Sequence, residues 1–155
     1  MAKQCRVYTV KFTLSMQDPD MPSPRYHTTI FVETEANGNG YVHHVTGDIT
    51  SIGGMYYEKK YRERPELSRT FYSRDLLGVT DASAYQNSWE NVLRQVPPPP
   101  RQKSFNPKTM RTEPFKTENP LTFYEYGEVR QPLVKCTEWT LERAIPALRS
   151  AGLLH

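Results

Sequence analysis

Apolar and polar positions alternate over residues 5–14, with Tyr8, Val10, Phe12 and Leu14 on one side and Val7, Thr9 and Lys11 on the other. A period of two is that of a half-buried strand. The loop Asp18–Pro24, rich in proline and acid, separates it from a second predicted strand, Tyr26–Glu33, whose β-branched and aromatic residues suit a sheet. Asn37-Gly38-Asn39-Gly40 is a turn sequence, and Tyr41–Thr46 returns as a third strand that ends at Gly47-Asp48. Strands two and three are thus predicted to form an antiparallel hairpin. Gly53-Gly54 marks another turn, and Met55-Tyr56-Tyr57 adds a short strand. Residues 58–78 mix charge and aromatics without a clean period and are broken at Pro65.

The period then lengthens. From Asp81, a good N-cap, Tyr85, Trp89, Val92, Leu93 and Val96 recur at helical spacing until Pro97-Pro98-Pro99-Pro100 stops them. Residues 97–120 hold few apolar anchors (Phe105, Met110, Phe115) and predict a long, partly mobile loop that begins as a stiff polyproline crossover. Phe123, Tyr124 and Tyr126 predict one more strand before Gly127. A C-terminal helix is predicted to open at Cys136, with Leu141, Ala144, Ile145 and Leu148 on its buried side and Gly152 closing it. Pro146 predicts a kink or a second short turn within it. The expectation is an α+β fold, a small antiparallel sheet packed on two helices. Residues 1–155 form one domain, with a proline-rich loop at about 97–120.

Composition narrows the function. A chain of 155 residues has room for one real core, and its 37% hydrophobic content is supplemented by ten tyrosines. A net charge of +3 is too mild for a nucleic-acid footprint, and the pairs Lys59-Lys60 and Arg62/Arg64 read as solvated surface. No run approaches the ~20 apolar residues that span a bilayer. Met1-Ala2-Lys3-Gln4 leads into a strand without the apolar core of an export signal. Two cysteines, Cys5 and Cys136, make neither a disulfide framework nor a zinc set, so a reduced, cytoplasmic protein with free thiols and no cofactor is expected.

Cys136 stands out because a first-turn cysteine meets unpaired N–H groups and the positive end of the helix dipole, both of which favour thiolate. Cys5, at the start of a strand, reads as structural. Three histidines sit on the hairpin: His27 on strand two, His43 and His44 on strand three. An imidazole can deprotonate a thiol near neutral pH, and a third group is needed to orient the ring. Facing hairpin positions lie ~5 Å apart and diagonal ones ~7–8 Å. Either His43 or His44 can therefore meet His27, but not both, since neighbours on a strand point to opposite faces. Two other readings stay open. The histidines with Asp48 could bind a metal, or they could be ordinary strand surface.

The residues also resemble a known group. Tyr26-His27-Thr28-Thr29-Ile30-Phe31-Val32, a Gly-rich turn, Gly40-Tyr41-Val42-His43-His44-Val45, and a late Cys136 on a helix look like the circularly permuted papain-like fold. The nearest analogues are the lecithin:retinol acyltransferase and phospholipase/acyltransferase group within the wider NlpC-type superfamily. The chain is also similar to small fungal proteins with a "His-x-x-Ile-Phe-Val … His-x-Val-x-Gly-Asp … Cys-x-Glu-Trp-Thr" pattern. The resemblance covers roughly residues 5–50 and 133–152. It implies Cys136 as nucleophile, His27 as general base and His44 as the orienting residue. By position alone, Tyr26 and Tyr41 are candidates for a second oxyanion donor, and Trp139 reads as core in preference to a wall of the substrate site. The implied activity is a cysteine hydrolase or acyltransferase acting on a small-molecule or peptide amide, ester or thioester. Thr137-Glu138-Trp139 replaces the Glu-His that follows the acyltransferase cysteine, and no apolar tail follows, so lipid substrates are not carried over. The competing expectation is a catalytically silent papain-like module that binds a protein partner.

Overall fold

Strand β1 (Gln4–Thr13) is the spine of the main sheet, with β2 (Tyr26–Glu33) on one side and β5 (Phe71–Asp81) on the other. Beyond β2 lie β3 (Gly40–Gly47) and β4 (Met55–Arg62), which gives the order β4-β3-β2-β1-β5 with every neighbour antiparallel. The computed structural model describes residues 3–155; Met1 and Ala2, on which the reading of the N-terminus also rests, lie outside the described residues. The β2–β3 hairpin is present, with Glu33 opposite Gly40.

Alternation along the strands sorts residues between two faces. Cys5, Val7, Ile30, Val32 and Val45 pack under helix α1 (Ala82–Arg94) and the C-terminal helix, against Trp89, Leu93, Trp139 and Leu148. Tyr8, Val10, Phe12, Phe31 and Val42 form a smaller cluster on the opposite face, closed by Phe71. The fold is a mixed α+β arrangement of small antiparallel sheets and a few short helices.

Two expectations are corrected. The aperiodic stretch 58–78 holds the rest of β4, a 3-10 turn at Pro65–Leu67 and most of β5. The β1–β5 register shifts between Val7 and Tyr8 and again between Lys11 and Phe12, and such bulges erase a period of two. β4 is an edge strand whose charged side chains blunt its free edge and hide its alternation. Residues 97–120 are not one loop. They carry β6 (Lys103–Asn106) and β7 (Arg111–Thr117), which with β8 (Thr122–Phe123) make a second sheet. Charge rather than apolar burial anchors that sheet: Lys103 Nζ lies 3.0 Å from Asp18 and 2.6 Å from Asp20, while Phe105 and Met110 stay exposed. The tetraproline runs against the start of β4, where the Pro99 carbonyl accepts the Met55 N–H at 2.9 Å. Gly54 permits this approach, since a Cβ there would stand 2.5 Å from the Pro99 oxygen.

The C-terminal helix starts as α2 (Cys136–Glu138), widens into a π-helical stretch over Trp139–Ala144, and resumes as α3 (Ile145–Ser150). Pro146 lies in the first turn of α3, where its missing N–H is least costly. Gly152, at φ +73°, ends the helix, with the Leu153 N–H returning to the Leu148 carbonyl at 2.9 Å. Among the described residues no helix is long and apolar enough to cross a membrane.

Candidate active site

β2 and β3 pair only from Glu33↔Gly40 to Ile30↔His43. Past that point they separate, and backbone groups at the start of β2 need other partners. The start of the C-terminal helix supplies them. Cys136 Sγ lies 3.7 Å from the Tyr26 carbonyl, Thr137 Oγ1 lies 3.4 Å from the same oxygen, and Thr140 Oγ1 donates to the Thr28 carbonyl at 3.2 Å. The Thr28 and Thr137 hydroxyls meet at 2.9 Å. Three small polar side chains thus hold the helix in the gap that the strands leave.

The β1–β2 loop clamps the same helix start. Lys135 Nζ is 2.7 Å from Asp18 Oδ2. Arg25 presents two N–H groups to the Glu138 carboxylate at 3.1 and 3.0 Å, and Glu138 Oε1 also accepts the Lys135 N–H at 2.8 Å. A forked guanidinium–carboxylate pair fixes orientation as well as distance. Burial alone would raise Asp18, but bonds from Lys135, the Asp20 N–H and Lys103 outweigh it and hold the carboxyl at about 2. Burial likewise opposes, and the Arg25 bonds override, so that Glu138 is lowered.

On β3 the parity left open by the sequence is settled in space. His44 shares the face of His27, with His27 Nε2 2.7 Å from His44 Nδ1. His44 Nε2 lies 2.9 Å from Glu58 Oε1, its direct cross-strand partner on β4. The proton positions follow from donor and acceptor capacity. A carboxylate only accepts, so His44 donates from Nε2. Whenever His44 is neutral, its Nδ1 accepts and His27 donates from Nε2, which leaves His27 Nδ1 without a proton, the state a general base requires.

His27 and Cys136 line one cavity of about 240 Å³, together with Leu14, Asp48, Met55 and Lys135. Cys136 is 7% exposed. Its sulfur lies 3.7 Å from the Tyr26 carbonyl, which can only accept. Burial, then the neighbouring His44 and Arg62, pull His27 down to about 4, so its ring is neutral near neutral pH. Cys5 is buried and lines a different cavity with Tyr41, Tyr61 and Tyr85, and burial raises its thiol.

Other expected site residues go elsewhere. Trp139 is completely buried, with its Nε1 donating to the Val96 carbonyl at 3.4 Å, so it is core and not a wall of the site. Tyr41 lines the Cys5 cavity and packs on Tyr61 at 5.4 Å between ring centroids; it does not reach the thiol cavity as an oxyanion donor. Tyr26 contributes its main-chain carbonyl, while its ring stacks on Tyr72 at 4.0 Å. His43 turns to the helix face, away from His44. The set His27, His43, His44 and Asp48 therefore does not converge, and no group of three or more ligating side chains is placed to hold a metal among the described residues.

A family model matches residues 7–155. The chain belongs to DUF6540, a family of unknown function. No curated protein and no solved structure matches it. In this DUF6540 chain the residue that sequence reasoning missed is Glu58. The predicted β4 stopped at Tyr57, and one more residue of pairing puts Glu58 opposite His44. The Arg25–Glu138 pair was also missed. It joins positions far apart in sequence, and no local pattern announces it.

Proposed function

We propose that this DUF6540 chain is a cysteine-dependent hydrolase or acyltransferase of the circularly permuted papain-like type, with Cys136 as nucleophile, His27 as general base and His44 as the residue that orients it. The observation that carries this reading is the Cys136 cavity walled by His27, whose ring is bonded to His44 and, behind it, Glu58. The order His27, His44, Cys136 and a helix packed on an antiparallel sheet support the fold assignment.

In the proposed reaction the thiol leaves the Tyr26 carbonyl by rotation about χ1 and gives its proton to His27 Nδ1. The sulfur bonds to the carbonyl carbon of an ester, thioester or amide, and the carbonyl electron pair moves onto oxygen. The Cys136 N–H, one of the first-turn donors without an intrahelical acceptor, then stabilises that oxyanion. Collapse expels the leaving group, which takes the proton from His27. Water or an amine then gives its proton to His27, attacks the thioester and releases the acyl group and the thiol. Glu58 stabilises the positive charge that passes through the two rings.

The near-complete burial of Cys136 favours a second reading, a papain-like module that binds a partner without turnover. One experiment separates them. In a Cys5→Ala background, Cys136 is alkylated with iodoacetamide across pH, with and without His27→Ala. Rapid labelling below the ordinary thiol range of ~8.5, lost with His27→Ala, supports the enzyme. Slow labelling at the ordinary thiol pKa, indifferent to His27, favours the binding module.

A further inference from the structure

His27 and His44 also line a second recess, of about 220 Å³, whose other walls include Phe12, Val42, Lys60 and Arg62. The thiol cavity and this recess share His27, so its ring stands between them. Lys60 and Arg62 are two positions apart on β4 and so project from one face. Residues of β1, β2, β3 and β4 meet around the recess, and none of the lining residues is a carboxylate.

What sets these two cations apart from the chain's other unpaired Lys and Arg side chains is that they line one recess together. Lys59 is paired with Glu90, Arg74 with Glu33 and Glu66, and Lys103 with Asp18 and Asp20. Among the described residues Lys60 and Arg62 enter no ion pair. The Arg62 guanidinium packs 4.6 Å from the Phe12 ring centroid, and its N–H edge meets no protein acceptor among the described residues. The nearby threonine hydroxyls are spent on carbonyls, Thr29 on Val10 at 2.9 Å and Thr13 on Thr70 at 3.3 Å. The free donors are therefore a stacked guanidinium fork and an ammonium beside an apolar floor. A fork of this kind matches a carboxylate or phosphate edge. The recess holds several water volumes of about 30 Å³ each, room for a small organic group and not only a bare ion.

We propose that this recess binds the carboxylate or phosphate of a small organic anion, with Arg62 gripping it through two N–H groups and Lys60 as the second cation. The surface pairs that look merely solvated in the sequence then divide: Lys60 and Arg62 belong to a site, while Lys59 and Arg64 do not line it. An occupant also bears on the proton chain. The groups that face His27 are His44 with Glu58 behind it, Cys136 from α2, and Arg62 and Lys60 from β4. Burial and His44 lower His27 first and the Arg62 charge adds to them, so an anion on Arg62 opposes only that last contribution and makes His27 a somewhat stronger base. The site itself does not depend on Cys136 being a nucleophile.

The test uses the full chain, labelled with nitrogen-15, at fixed pH and constant ionic strength set with chloride. Imidazole resonances of His27 and His44 are followed while inorganic phosphate is added in one arm and glutarate in another. Saturable shifts in either arm are expected, and the arm with the lower midpoint names the anion. Binding should weaken about tenfold in Arg62→Gln and in Lys60→Ala, as expected for loss of one charge-assisted contact. It should be unchanged in Arg64→Ala. Lys60 is exposed, so Lys60→Ala decides the matter even where loss of the Phe12 packing unfolds Arg62→Gln. Shifts that never saturate in either arm, or that are equal in Lys60→Ala and the parent, overturn the proposal. The readout is binding, so its failure is distinct from a failure of Cys136 to be alkylated.

Discussion

The two sides of β3 give neighbouring histidines different work. His43 is completely buried on the helix face, with Nδ1 2.6 Å from the Tyr57 hydroxyl and Nε2 2.8 Å from the Tyr85 hydroxyl. His44 is half-buried on the other face and lies between His27 and the carboxylate of Glu58. Both rings have both nitrogens engaged. The difference is in what lies at the ends of each chain. Around His43 the partners are neutral hydroxyls, and burial pushes the ring to about 3, so it holds its place and takes up no proton at ordinary pH. Through His44 the chain runs from a fixed charge to an unprotonated nitrogen on His27, and such a chain has a direction along which a proton can move. A buried, satisfied histidine adds rigidity; a histidine tied to a carboxylate tunes its neighbour.

The largest effect that separates the two faces is on thiol reactivity. His27→Ala should slow Cys136 alkylation near neutral pH by about 100-fold or more, within the range for loss of a general base. His43→Gln, if folded, should leave it within a few-fold of the parent. Equal losses in both variants would mean that reactivity follows packing and not the His27–His44 chain.

Stability should rank them in reverse. His43→Ala empties a site against Trp89, 5.2 Å away between ring centroids, and strands two tyrosine hydroxyls. A cost of about 3 kcal/mol is expected from the cavity and the lost bonds together. His44→Ala, on the more open side, should cost under about 1 kcal/mol. Urea denaturation followed by tryptophan fluorescence measures both, and a reversed order would break the comparison.

Acid sharpens it further. His43 and His27 have folded-state pKa values of about 3 and about 4, below the ordinary 6.5. The unfolded chain therefore binds protons that the folded chain refuses. Stability is full above 6.5 and falls as pH drops toward 4, by up to about 1.4 kcal/mol per pH unit for each ring. Asp18, at about 2 against an ordinary 3.8, adds its own loss only below that window. His43→Gln should remove one ring's share of the slope between pH 6 and 4, and an unchanged slope would deny that His43 is neutral in the fold.

The same contrast explains what could be read from sequence. β2, β3 and their turn follow from β-branched and aromatic content and from Asn37–Gly40, a signal that survives although β2 lies inside the sheet, is buried on both faces and shows no alternation. Pro146 was rightly a disturbance in the last helix, met by a π-helical stretch and not a simple kink. β5 and most of β4 were hidden, since bulges and edge charges carry no period. The choice between His43 and His44 turned on register, which a hairpin loop of uncertain length does not fix. Trp139 reads as core in preference to a wall in the sequence, and three residues along the helix carry it from the strand gap into that core.

Glu58 makes the smallest and most discriminating change. It is 39% exposed at its side chain and bonded only to His44 Nε2, at 2.9 Å, so it supports the chain electrostatically while adding little to the fold. Glu58→Gln keeps an oxygen that can accept from His44 but removes the charge and adds a competing donor. His44 is then free to adopt the other tautomer, with Nδ1 protonated, and in that state it no longer accepts from His27. The expected result is roughly a tenfold slower Cys136 alkylation near neutral pH, with stability changed by under about 0.5 kcal/mol. If Glu58→Gln matches the parent rate while His44→Ala is slow, the chain ends at His44 and Glu58 is only its surface partner. If both are slow, β4 supplies the fixed charge that gives the open face of the sheet its direction, and the helix face, with two tyrosines in that place, has no counterpart to it.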